Sequence, residues 1–118
     1  MEILEGQLPD QNKEWFVLYV RTPDAPLAHT WDLAVLLAQA ENGSLILVVV
    51  IEEDTEQQRA AAREAIREAE KDLDNVCGFY SIITTHESYR SSINKFVRDY
   101  NVDILVDDIG DPIHHDLQ

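Results

Sequence analysis

Apolar residues in this chain fall into four short, nearly unbroken runs, separated by stretches in which they return every three or four positions. That alternation predicts four strands and three amphipathic helices. The first run, Trp15-Phe16-Val17-Leu18-Tyr19-Val20, is apolar almost throughout, as a strand covered on both faces of a parallel sheet requires. Asp24 is placed to cap a following helix, Pro26 suits its first turn, and Leu27, Trp31, Ala34, Leu37 and Ala38 recur at helical spacing. Asn42-Gly43 supplies a left-handed stop. Residues 44–51, Ser-Leu-Ile-Leu-Val-Val-Val-Ile, are the most apolar and β-branched segment and predict a central strand.

Thr55, with Gln58 three residues later, has capping-box spacing, and the alanine-rich run to Asp74 has strong helix propensity. Its expected inner face is Ala62, Ala65, Ile66, Ala69 and Leu73. Residues 78–85, Gly-Phe-Tyr-Ser-Ile-Ile-Thr-Thr, are more polar and predict an edge strand. Ser88 is placed to cap the third helix, whose stripe is Tyr89, Ile93, Phe96, Val97 and Tyr100, with Asn101 as its terminator. Asp103-Ile104-Leu105-Val106-Asp107 predicts the fourth strand. Residues 1–13 lack a sustained period and are expected to be a leader or linker, residues 14–111 one α/β domain, and residues 112–118 a tail.

Strands and helices alternating through short loops demand right-handed crossovers, which bring every strand's carboxyl end to one rim. Ligand sites of open α/β sheets lie on that rim, where the strand order reverses. Arg21, Thr22, Asp24, Glu52, Glu53, Asp54, Thr84, Thr85, His86, Glu87, Asp107, Asp108 and Asp111 are expected there.

Composition narrows what such a rim can do. The 118 residues carry 23 acids against 9 bases, a net charge of −14. That balance excludes non-specific nucleic-acid binding, which depends on Lys and Arg neutralising phosphates. It fits either a solubilised surface or a high-salt cytoplasm. The lone Cys77 cannot form an internal disulfide, and the acidic start of the chain lacks a secretory signal. The longest apolar run is far short of the roughly 20 residues a membrane span needs. A cytoplasmic location is the expectation.

The acidic rim has two readings. Asp107, Asp108 and Asp111 are candidate hard-oxygen ligands for a divalent cation; alternatively they are solvated loop acids, favourable beside helix N-termini. His114 and His115 lie in the expected tail, where adjacent side chains of an extended segment diverge. No nucleophile with a partnering base and no G-x-S-x-G elbow occurs, so no catalytic residue and no cofactor is assigned. Arg59, Arg63, Arg67 and Lys71 form one ridge of the second helix, with Glu64 to Arg67 and Glu68 to Lys71 at a spacing of three. The ridge is either a self-paired solvated face or a docking surface for an acidic partner.

Ile93-Asn94-Lys95-Phe96-Val97-Arg98-Asp99-Tyr100-Asn101-Val102-Asp103-Ile104-Leu105-Val106 resembles the third helix and fourth strand of the universal stress protein family. Leu33-Ala34-Val35-Leu36-Leu37-Ala38, Asn42-Gly43 and the strand after them resemble its first helix and second strand. The resemblance implies an open, mainly parallel α/β sheet of about four strands in the order 3-2-1-4, of the adenine nucleotide alpha hydrolase type, with helices on both faces and the family's fifth strand missing.

Members that bind ATP carry an Asp ending strand one and a glycine-rich loop after strand four. Here Tyr19-Val20-Arg21-Thr22 and Asp107-Asp108-Ile109-Gly110-Asp111 occupy those places, so neither motif carries over. The resemblance further implies a homodimer through the fourth predicted strand, or a role as the cytoplasmic domain of a membrane transporter such as an amino-acid permease or cation–chloride cotransporter. The expected function is therefore a non-catalytic regulatory or interaction module, with a nucleotide- or metal-dependent small-ligand sensor as the alternative.

Overall fold

The computed structural model describes residues 1–9, 15–24, 29–71, 73 and 78–109. Its elements in chain order are β1 (Glu5–Gly6), β2 (Phe16–Arg21), α1 (His29–Ala40), β3 (Ser44–Ile51), α2 (Glu56–Glu70), β4 (Gly78–Thr85), α3 (His86–Asp99) and β5 (Ile104–Asp107). The four expected strands and three expected helices all form. The sheet runs β1-β4-β3-β2-β5. Its four longer strands are parallel, in the expected order, with registers such as Leu18↔Ile46, Leu18↔Leu105 and Val48↔Ile82.

The sheet is mixed rather than four-stranded, because part of the segment expected to be a leader joins it. Glu5 and Gly6 pair antiparallel with Ile83 and Ile82. Gly6 has φ +100, and a Cβ there would lie 2.0 Å from the Ser81 carbonyl oxygen, so the close approach requires glycine. Thus β4, polar enough to predict an edge, is itself covered.

Two apolar layers sandwich the sheet. Val17, Tyr19, Leu45, Leu47 and Val49 face α1 and α2, where they meet Trp31, Ala34, Ala38, Ala62 and Ala69. Phe16, Leu18, Val20, Ile46 and Val48 face α3 and meet Tyr89 and Phe96. Every residue of β3 is buried, so each of its Leu, Ile and Val side chains contributes roughly 1.5–3 kcal/mol of transfer free energy. Ala62, Ala65 and Ala69 of α2 are buried, on the inner face its pattern predicts. Among the described residues no helix is long and apolar enough to cross a membrane.

Helix boundaries follow local chemistry. Asn42 and Asn101 have φ 52 and 55, the left-handed stops expected after α1 and α3. Thr55 caps α2 by accepting from Gln58 N, but Gln58 Oε1 accepts from Glu52 N and Glu53 N instead of closing the box on Thr55. The helix ends at Glu70 with Lys71 as its C-cap, short of the expected Asp74, which lies outside the described residues. Thr85, not Ser88, caps α3, because β4 pairs through Thr85 and passes directly into the helix. Asp103 ties two strands at their start: its Oδ2 accepts from Phe16 N at 2.9 Å while its own N donates to Phe16 O at 3.1 Å.

Candidate functional site

Strand order reverses between β2 and β5, so their carboxyl ends mark the crevice where a doubly wound sheet holds its ligand. Side chains of the chain itself bond to one another there. Tyr19, in the face of β2 packed on α1, donates its hydroxyl to Asp108 Oδ2 at 2.6 Å and lies 3.0 Å from Thr30 Oγ1. From the opposite face, the Tyr89 hydroxyl of α3 donates to Asp107 Oδ2, and Ile109 N donates to Asp107 Oδ1 at 3.1 Å. The Asp108 N–H continues the sheet by donating to Val20 O at 2.8 Å. Each carboxylate is thereby tied to a tyrosine on its own side of the sheet.

Electrostatics follow from burial. The Tyr19 phenol is pushed up to about 12, first by desolvation and then by its hydrogen bond to the Asp108 carboxylate. Arg21, 4% exposed at the end of β2, is held below its usual value by burial, against the opposing pull of Tyr19 and Asp108. Its Nε donates to Thr22 O at 3.0 Å. A buried guanidinium with the Asp108 carboxylate near it keeps this end of β2 polar.

The remaining rim residues disperse. Thr22, Asp24, Glu52 and Glu53 line an open cleft of about 580 Å³ beside the start of α2, together with Thr55 and Gln58. Asp54 instead accepts from Arg59 Nε and Nη2 at 2.6 and 2.9 Å, which holds its carboxyl below the usual range. Thr84 is buried and donates to Glu2 O at 2.6 Å. His86 and Glu87 are in the first turn of α3, and His29 is exposed at the start of α1. Among the described residues no three of His, Cys, Asp and Glu come together as a metal site. The candidate cation ligands Asp107 and Asp108 are engaged by tyrosines; Asp111 lies outside the described residues, as do Cys77, His114 and His115.

The basic ridge of α2 divides in two. Arg67 and Lys71 pair with Glu64 and Glu68, as their spacing predicts. Arg59 and Arg63 turn to the N-terminal strand, where Glu5 accepts from Arg63 Nε and Nη2, each at 2.8 Å, and from Arg59 Nη1 at 3.4 Å. The acidic surface that this half of the ridge meets belongs to the same chain. Tyr19, Tyr89, Thr30 and Glu5 were not among the expected site residues. Only the tyrosine hydroxyls, polar groups within strongly apolar patterns, signal in the sequence that some partner must exist.

No family model matches the chain, and no curated protein does. Among solved structures it is similar to the universal stress protein UspA from Lactobacillus plantarum, with a TM-score of 0.64 at 15% identity over 81% of this chain and 78% of that one. The fold is accordingly that of a universal stress protein.

Proposed function

We propose that this chain is a non-catalytic regulatory and interaction module of the universal stress protein type, cytoplasmic and either free-standing or the soluble domain of a membrane transporter. The observation that carries this reading lies at the switch point, where Tyr19 donates to Asp108 and Tyr89 to Asp107 beside the crevice between β2 and β5. A nucleotide phosphate there would displace two tyrosine–carboxylate bonds and face carboxylates instead of backbone N–H donors. With no base or nucleophile assigned, what the fold offers a partner is surface, and self-association through the outer edge of β5 is the form favoured by Leu105, 43% exposed there.

Titration calorimetry with Mg²⁺-ATP tests the reading directly. The expected result is no saturable heat up to about millimolar ligand. Stoichiometric binding would overturn it in favour of a ligand sensor. The acid-lined cleft beside α2, which suits a cation-bridged ligand, is where that alternative would act. Loss of the signal in Glu53→Gln would locate it there.

A further inference from the structure

We propose that the outer edge of β4, residues 81–84, together with Arg59 and Arg63 is a strand-docking site, filled by the chain's own N-terminal segment and open by exchange to the same segment of a second copy. It lies at the opposite edge from β5 and stands whether or not β5 pairs with another chain.

The N-terminal segment is held as a bound peptide is held. Leu4 N donates to Ile83 O at 2.8 Å and Gln7 N to Ser81 O at 3.2 Å, the main-chain pattern of strand addition. Glu2 adds a bond at each end of its peptide unit, its N to Ser88 Oγ at 2.7 Å and its O from Thr84 Oγ1 at 2.6 Å. Side chains then select the sequence. Leu4 packs on the layer beneath α2, while Met1 and Leu8 pack on the layer beneath α3. The Arg63 fork takes Glu5 in two bonds of 2.8 Å, a charge-assisted geometry that specifies a carboxylate. The Cβ of any residue replacing Gly6 would collide with the Ser81 carbonyl, so the next position admits glycine alone. The site therefore reads an extended Leu-Glu-Gly, and every copy of the chain carries both the site and its ligand.

The side-chain bonds to the segment join residues 54 to 86 positions apart. None of them depends on which copy supplies the segment, so exchange between two copies conserves each one. Within one chain the segment competes at the high effective concentration of a tether. Loosening Glu5 or blocking Gly6 shifts the balance toward a segment supplied from outside.

Gly6→Val in the full chain blocks the internal segment while leaving Arg59, Arg63 and β4 intact. A fluorescent peptide of residues 1–8 is expected to bind this variant saturably by anisotropy. Binding to the unaltered chain is expected to be at least about tenfold weaker, because the tethered segment competes. Arg63→Glu added to Gly6→Val is expected to abolish it. Absence of saturable binding to Gly6→Val and to the milder Gly6→Ala, with cooperative melting retained, would overturn the site, as would binding indifferent to Arg63→Glu. Mixing the Gly6→Val chain with an Arg59→Glu/Arg63→Glu chain pairs an intact site with an intact segment. With Leu105→Lys also placed in both chains to disfavour pairing through β5, native mass spectrometry is expected to show a complex of the two, and masses no different from those of each variant alone would overturn exchange with a second copy.

Discussion

Tyr19 and Asp108 lie 89 positions apart, yet the phenol of one donates to the carboxylate of the other at 2.6 Å. The bond joins the two strands flanking the reversal in strand order. It explains why an acidic residue is compatible with this crevice: the carboxylate accepts from a buried hydroxyl whose other neighbour is Thr30 Oγ1. Such a hydrogen bond to a charged group contributes about 1.5–3 kcal/mol.

Removing the hydroxyl tests that contribution. Tyr19→Phe keeps the ring against Trp31 but leaves the Asp108 carboxylate without its donor, so urea denaturation is expected to show a loss of about 1.5–3 kcal/mol. The pH dependence has a definite sign. Because the folded phenol titrates at about 12 instead of its ordinary 10, its stabilisation is complete below pH 10 and is lost as pH rises toward 12. The unaltered protein is expected to lose stability more steeply across that window than Tyr19→Phe, as followed by urea midpoints and tyrosinate absorbance.

At the acid end Glu5 is, with Asp54, a sensitive group. Arg63 and then Arg59 hold its carboxyl below the usual 4.5, so the docking of β1 is fully supported above that value and weakens as pH falls below it. Amide exchange by NMR is expected to show Leu4 and Gln7 losing protection on acidification before the amides of β3 do. Glu5→Gln is expected to weaken that protection at neutral pH. Equal protection of Leu4 and Gln7 in both proteins would show that the Glu5 carboxylate does not hold β1 in place.

Trp31 is expected to respond differently to two truncations. Trp31 is fully buried, edge-on to Tyr19 at a ring distance of 5.1 Å, while its indole Nε1 has no hydrogen-bond partner among the described residues. Trp31→Ala is expected to cost about 3–5 kcal/mol through the cavity it leaves. Trp31→Phe forfeits no hydrogen bond to a described residue and is expected to cost less than half as much in the same urea assay.

Much of the fold could be read along the chain because its signals are local. Residues 44–51 are apolar without interruption, and the structure buries all of them at the centre of the sheet. Asn42 and Asn101 tolerate a left-handed backbone better than most residues, and both adopt it. What escaped local reading is held by distant partners. Glu5-Gly6 has no strand pattern; it becomes a strand because Ile82, Ile83 and Arg63 lie beside it in space. The candidate site escaped for the same reason. Asp107 and Asp108 were legible as an acidic pair, but the tyrosines that engage them come from opposite faces of the sheet, and nothing in the spacing along the chain announces that.

The outer edge of β5 supplies the last test. β5 pairs with β2 on one side only among the described strands, and Leu105 stands 43% exposed at a position whose neighbours are half-buried or more exposed only in the adjoining turn. A free edge carrying an exposed leucine favours pairing with another chain, and natural sheets suppress such pairing with an edge lysine. Leu105→Lys is therefore expected to leave thermal melting nearly unchanged, since the side chain is already substantially in water. Sedimentation across a concentration series is expected to show a dimer for the unaltered chain and a dissociation constant raised at least about tenfold, or roughly 1.4 kcal/mol, in the variant. The net charge of −14 adds a second signature, because salt screens repulsion between copies and should strengthen the dimer. A chain that stays monomeric at high concentration and high salt would remove the β5 edge as an interface.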